Sequence, residues 1–283
     1  MDGNRRFGRI RYGDPLKGHW EGGQVLLDFV QWCIEGGIKL VTVYAFSSEN
    51  WTRDAVEIEL LMTMFGKYAA TMAEEASKRN VKVKILSTDF HRLPPHVQRS
   101  VEALESATAG CTGLLLNVCL SYGARADIAQ ACTRAVNAVL SRGLLGGKSD
   151  DVVMSERGGG DMPERDLSRG VEESKGEQKD AKQEKQGKVA PAAPSWGEEM
   201  KKGEGGPLVV TEAMLSEHLC TAGLPDPDLL LRTSGEVRIS NFLLWQLAYT
   251  EMFFVPKFWP EICRDDFRDI LRQFAERKRR FGA

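Results

Sequence analysis

Four short apolar runs, separated by segments with helical spacing, limit what this chain can fold into more than any other feature. They read IKLVTVYAF at residues 38–46, VKVKIL at 81–86, GLLLNVCLS at 113–121 and DLLLR at 228–232. β-Branched and aromatic residues dominate the first, and runs of this length bounded by turn residues fit buried strands. The intervening segments predict helices: from about Gly18 to the Gly36-Gly37 pair, over 55–79, from Pro95 to Thr108 and from Arg125 to Ser141. A further helix is expected at 211–220 and a last one from Asp265 to Arg279, ahead of the basic end of the chain. Strands alternating with helices imply an α/β fold with a mainly parallel central sheet flanked by helices. In such sheets ligands sit beyond the carboxyl ends of the strands.

The alternation stops between residues 143 and 206. Glycine, lysine and glutamate dominate there, and Trp196 is the one aromatic residue. A segment this polar cannot bury enough apolar surface to offset its ordering entropy, so a disordered insertion within a single domain spanning 1–283 is expected. Six cysteines lie scattered with no CxxC pair, which reads as buried thiols in a reducing, cytoplasmic setting. A formal net charge of -2 gives no reason to expect a nucleic-acid partner. No run reaches the roughly 18 apolar residues that a membrane span requires.

Three polar clusters then need an explanation. MDGNRR opens the chain, AFSSENWTR (45–53) follows the first strand run, and RTSGEVRISN (232–241) follows the last, with Glu251 ten residues farther on. Charge crowded against a strand end has to find partners or water, and a bound anion would satisfy all three clusters. Asp2 could hold a cation while Gly3 and the amides after it face that anion. Each cluster also has an ordinary reading. DGN is a common turn, Ser240 or Asn241 could cap a helix at FLLWQLA, and His19 could be a surface histidine.

Taken together, MDGNRR, GHWEGG, YAFSSENWTR, LNVCLSYGARADI, LPDPDLLLRTSGEVRISNFLLWQLAYTE and the terminal RRFG resemble the cis-prenyltransferase family of undecaprenyl and dehydrodolichyl diphosphate synthases. The resemblance implies a hydrophobic tunnel beside the sheet. It also implies condensation of isopentenyl diphosphate with an allylic diphosphate such as farnesyl diphosphate, giving a long-chain, dehydrodolichyl-type product that serves dolichol synthesis and protein glycosylation. Asp2 and Glu251 match carboxylates that position Mg2+. Gly3, Asn4, Arg5, Arg6 and His19 match the loop around the allylic diphosphate, and Arg232, Arg238 and Ser240 the isopentenyl pocket. Glu236 would orient its arginine neighbours. Ser48 and Asn50 match residues near the reacting double bond, with Arg53 facing the diphosphates. Arg280 and Gly282 match an RxG element that reaches a neighbouring subunit, which implies a homodimer. Leu60, Leu61, Met62, Met64, Phe65 and Met72 are candidates for the tunnel wall, and product release implies peripheral contact with a membrane such as the endoplasmic reticulum.

Three departures from the family pattern carry consequences. The apolar strand that precedes MDGN in the family is missing ahead of Met1, so strand edges next to it are expected to lack a partner. Pro15 stands where a phosphate-binding arginine is usual, with Arg9 or Arg11 as substitutes, and Phe7 replaces a tryptophan. The rival reading is a non-catalytic accessory subunit, which would have lost the aspartate and arginines present here. A nucleotide-binding oxidoreductase is disfavoured, because no GxGxxG follows a strand.

Overall fold

The computed structural model describes residues 1–145 and 208–277. In chain order the elements are α1 (Asn4–Tyr12), α2 (Pro15–Glu35), β1 (Leu40–Ser47), α3 (Ala55–Lys78), β2 (Lys82–Leu86), α4 (Pro95–Thr108), β3 (Leu115–Tyr122), α5 (Ala124–Leu145), α6 (Glu212–Ser216), β4 (Leu229–Arg232), β5 (Glu251–Phe254) and α7 (Arg264–Glu276). Most of the expected insertion, and both Arg280 and Gly282, lie outside the described residues.

Local chemistry accounts for most boundaries. The Asp14 side chain accepts from the Leu16 amide at 2.9 Å and Pro15 fills the first helical position, so α2 starts three residues earlier than expected. Gly36 ends it, followed by Gly37 at φ 73°. Asp54 caps α3 through the amides of Val56 and Glu57. The helix expected over 211–220 closes at Ser216, because the Cys220 amide is drawn to Asp127 Oδ1 at 3.0 Å. FLLWQLA is a string of turns, with Asn241 at φ 59° and Leu243 at φ 40°. The Asn241 carboxamide serves two other segments, accepting from the Arg125 amide and donating to Glu49. Two of the six thiols, Cys132 and Cys263, are exposed and only Cys33 and Cys119 are buried; Cys263 precedes α7 and its amide bonds Asp266.

All strand pairs are parallel. One sheet has the order β1-β3-β2, with Leu40 and Lys82 both in register with Leu115. The other pairs β4 with β5, starting from Leu229 opposite Glu251. β3 is buried on both faces from Leu116 to Tyr122, as expected of a central parallel strand. Behind the sheet, Leu26, Val30 and Cys33 of α2 pack on Val83 and Leu116. Phe29 of the same helix meets the rings of Trp32, Trp259 and Phe267 at 5.2 to 6.1 Å. Phe46, Leu61, Met62, Leu93 and Val97 form a second cluster, and Tyr122 joins Phe242, Leu243 and Leu247 in a third.

Beside that third cluster lies a buried carboxylate. Asp127 is fully covered; it accepts from the Tyr122 hydroxyl at 2.9 Å and from the Cys220 amide, with Arg134 at 3.8 Å. Burial and this negative charge push the Cys220 thiol up to about 12 and hold Tyr122 neutral well above the usual tyrosine range.

Among the described residues, β1 and β4 each pair along one edge only. A cavity of about 960 Å3 lies at the other edges, lined by every residue of β1 and every residue of β4. Successive side chains of a strand point to opposite faces, so unbroken lining means that both strands present an edge to the space. The two sheets therefore flank a slot with apolar walls.

Candidate active site

At one end of that slot stands the first turn of α1. Gly3 precedes the helix at φ 95°, and a Cβ there would come within 2.2 Å of Ser234 Oγ, so glycine is required on both counts. The Asp2 backbone is held on both sides. Its amide donates to Thr233 Oγ1 at 2.9 Å, and its carbonyl accepts from Thr233 Oγ1 at 2.8 Å and from the Trp259 amide at 2.9 Å. α1 lies tightly on α2, because Gly18 has no side chain to meet the Asn4 carbonyl; a Cβ would sit 1.9 Å from it.

Held in this way, the Asp2 carboxylate organises the arginines around it. Oδ1 accepts from the Gly3 amide at 2.7 Å, with Arg6 Nη2 at 3.7 Å. Oδ2 pairs with Arg232 Nη2 at 3.1 Å. Arg232 also donates to Ser240 Oγ at 2.9 Å and to the Arg238 carbonyl. Glu236 bridges Arg238 to Arg6, the latter at 3.2 Å. From the first turn of α3, Glu57 bridges Arg5 at 3.2 Å and Arg53 at 3.3 Å. In this network five guanidinium groups meet three carboxylates, leaving positive charge that an anionic ligand would balance.

His19 lies under the same field. Desolvation, reinforced by the charges of Arg53 and Arg5, lowers its pKa to about 4, so at neutral pH it is an uncharged imidazole with one N–H to donate. An unfolded histidine titrates near about 6.5, so from there down to about 4 the unfolded chain binds a proton that the folded chain refuses. Unfolding free energy is therefore expected to fall as pH drops across that window, and His19→Gln should flatten the slope. Denaturant titrations at pH 7, 6 and 5 check this; equal slopes in both proteins would exclude His19 as the cause.

The cavity gathers most of the anticipated residues. Asp2, Gly3, Asn4, Arg5, Arg6 and His19 line it, as do Asn50 and Arg53 from the turn after β1 and Arg232, Arg238 and Ser240 from the segment after β4. Asn50 Oδ1 accepts from the Ser47 amide at 3.1 Å, which fixes the turn. Ser48 is not part of the lining; its hydroxyl faces Gly123 and bonds Glu49. Glu251 also stands outside the lining, where it pairs with Arg277 at 2.6 Å. Arg9 and Arg11 are exposed on the last turn of α1 and do not take the place expected of an arginine at 15.

The apolar wall departs from expectation. Of the α3 candidates, Leu61 and Phe65 line the cavity, while Met62 and Met64 are core, Met72 packs on the α2 cluster and Leu60 is 43% exposed. β1, β4, Leu243, Leu247 and, from α7, Phe267 and Ile270 supply most of the rest. Glu57 and Thr233 were not singled out from the sequence. Glu57 lies four residues after Arg53, a helical ion-pair spacing that could have marked it.

The donor set suits a hard divalent cation. Among the described residues no three His, Cys, Asp or Glu side chains converge on one point. The half-exposed Asp2 lines the cavity and could offer one hard carboxylate oxygen, a donor that would suit magnesium rather than a zinc cage.

Residues 1–282 match the prenyltransferase family model for undecaprenyl diphosphate synthase. An isoprenyl transferase from Geobacillus kaustophilus is 34% identical over 282 residues, covering 100% of this chain and 86% of the relative. One from Listeria innocua is 33% identical and is covered over 87% of its length. Among solved structures, lavandulyl diphosphate synthase from Lavandula x intermedia, in complex with dimethylallyl diphosphate, superposes with a TM-score of 0.73 at 25% identity, covering 100% of this chain and 95% of that one. A probable undecaprenyl diphosphate synthase from Campylobacter jejuni gives 0.64 at 24% identity, over 93% and 92% of the two chains, a likeness of fold.

Proposed function

Because the chain belongs to the undecaprenyl diphosphate synthase family of prenyl transferases, we propose that it condenses isopentenyl diphosphate with an allylic diphosphate, farnesyl diphosphate as the starter, to build a long-chain polyprenyl diphosphate with new cis double bonds. One observation carries the reading: a single cavity joins the arginine cluster to an apolar interior, as an amphiphile with a diphosphate head and a growing hydrocarbon tail requires.

The division of labour follows from charge and position. Gly3, Asn4, Arg5, Arg6 and His19, at the start of α1 and on α2, receive the allylic diphosphate, and Arg232, Arg238 and Ser240 receive the isopentenyl diphosphate. Guanidinium forks suit phosphate oxygens, and each charge-assisted bond is worth roughly 1.5 to 3 kcal/mol. The allylic carbon loses diphosphate, the isopentenyl double bond attacks that carbon, and one proton leaves. Asn50, which lines the cavity after β1, assists removal of the proton near the reacting double bond. Magnesium held at Asp2 would neutralise charge gathering on the departing diphosphate. Each methylene drawn into the dry wall adds about 0.8 kcal/mol of binding, so release is slow and calls for a membrane surface to receive the product. No helix among the described residues is long and apolar enough to cross a membrane. A homodimer would let Arg280 and Gly282 complete a neighbour's site.

Incorporation of radiolabelled isopentenyl diphosphate into farnesyl diphosphate, followed by sizing of the product, tests the proposal. Labelled polyprenyl product from the purified chain supports it. Its absence would leave the accessory-subunit reading. The relatives named as isoprenyl transferases are bacterial, which favours an undecaprenyl-length product over the longer dehydrodolichyl type.

A further inference from the structure

Resting on the membrane release read above, we propose that the outer surface of α1 and the first turns of α2 dock on an anionic lipid membrane. Ile10, Tyr12 and Trp20 enter the interface, and Arg9, Arg11 and Lys17 meet its phosphates. α1 reads NRRFGRIRY, four guanidinium groups and no acid in 9 residues. Arg5 and Arg6 turn to Glu57 and Glu236 in the site, whereas Arg9 and Arg11, both exposed, form no ion pair among the described residues. Beside them Ile10 is 75% exposed, Trp20 44% and Tyr12 40%.

These side chains belong to one surface rather than being scattered. α1 and α2 touch with no side chain between them, since a Cβ on Gly8 would stand 2.6 Å from the Gly18 amide. The Tyr12 ring meets Phe7 edge-on at 6.0 Å, its hydroxyl donates to Glu21 Oε1 at 3.4 Å, and Lys17 Nζ lies 5.8 Å from its centre. Trp20, the neighbour of Glu21, is held by Tyr68, whose ring lies 4.8 Å away and whose hydroxyl donates to the Trp20 carbonyl at 2.6 Å. The surface begins at the rim of the site. Arg9 follows Arg5 by one turn and Trp20 follows His19; Arg5 and His19 line the cavity, and none of the six proposed docking residues does.

Charge and residue type select the occupant. The acids at hand are engaged, Asp14 with the Leu16 amide and Glu21 with Tyr12, so the local excess is positive. Tryptophan and tyrosine rings settle at the headgroup level of a bilayer, and arginine and lysine stems lie along apolar surface while their heads reach phosphate. A lipid leaflet seated here would bring its hydrocarbon close to the cavity that holds the product tail.

Flotation of the full chain with vesicles tests this, using phosphatidylcholine alone and phosphatidylcholine with about one third phosphatidylglycerol. The wild-type chain should bind the anionic vesicles, and added salt should weaken that binding. Each basic side chain near such a surface strengthens binding about fivefold, so the triple variant Arg9→Ser, Arg11→Ser, Lys17→Ser should lose about thirtyfold to a hundredfold. The double variant Ile10→Ser, Trp20→Ser should lose about tenfold or more, with Leu140→Ser on α5 as an exposed control that changes nothing. Melting curves verify folding, and the single substitutions serve if a combined variant folds poorly. A wild-type chain that ignores anionic vesicles, or folded variants that bind within about threefold of wild type, would overturn the assignment. Sedimentation velocity without lipid covers a second copy as the occupant: a dimer that the double variant splits into monomers would also overturn it. Vesicle binding needs no turnover. A chain that floats but makes no product keeps this surface and loses the reaction proposed above, and one that makes product without floating does the reverse.

Discussion

Asp2→Ala is expected to lower condensation turnover by about a thousandfold or more while the protein stays folded. The fold should survive because the hydrogen bonds that hold residue 2 to Thr233 and Trp259 are made by its backbone, which alanine retains. What disappears is the oxygen pair that holds the Gly3 amide and Arg232 and can hold a divalent ion. Arg232 is only 14% exposed and would lose the carboxylate that it pairs with. Asp2→Asn separates the two effects, since it preserves the hydrogen bond to Gly3 and removes the charge. Steady-state turnover with melting curves checks this; an active, folded Asp2→Ala enzyme would remove the carboxylate from the reaction.

Asp127→Ala should destabilise the fold by about 3 to 5 kcal/mol without touching the cavity. The truncation leaves the Tyr122 hydroxyl and the Cys220 amide without their acceptor and opens a void beside a side chain that is 0% exposed. For a chain of this size that amounts to a fall of about 10 °C in melting temperature. Asp127→Asn should cost less, because the carboxamide still accepts from one of the two. A melting temperature within about 2 °C of wild type in the alanine variant would show that water takes over the lost bonds.

How far sequence reading reached depended on what each element leans on. The strand runs at 38–46, 81–86, 113–121 and 228–232 came within two residues of β1 to β4, because residue type and flanking turns mark a buried strand locally. α1 escaped notice because Gly8 weakens its helical tendency and its stability comes from lying on α2, where a Cβ on Gly8 would meet the Gly18 amide at 2.6 Å. β5 is four residues long and exists by pairing with β4, a contact across the chain that no periodicity reveals. The site divides in the same way. Arginines crowded after strands announced an anion site, but the partner that each would choose depended on the fold. Glu251 went to Arg277, Ser48 turned toward Gly123, and Glu57 took two arginines from different segments.

The slot between β1 and β4 has a consequence for handling the protein. Among the described residues β1 and β4 each leave one border unpaired across a greasy gap, and such borders are a template onto which an extended peptide can zip. Self-association should thus grow with concentration and recede once a tailed lipid occupies the gap. Colloidal behaviour would then report occupancy as directly as a binding isotherm.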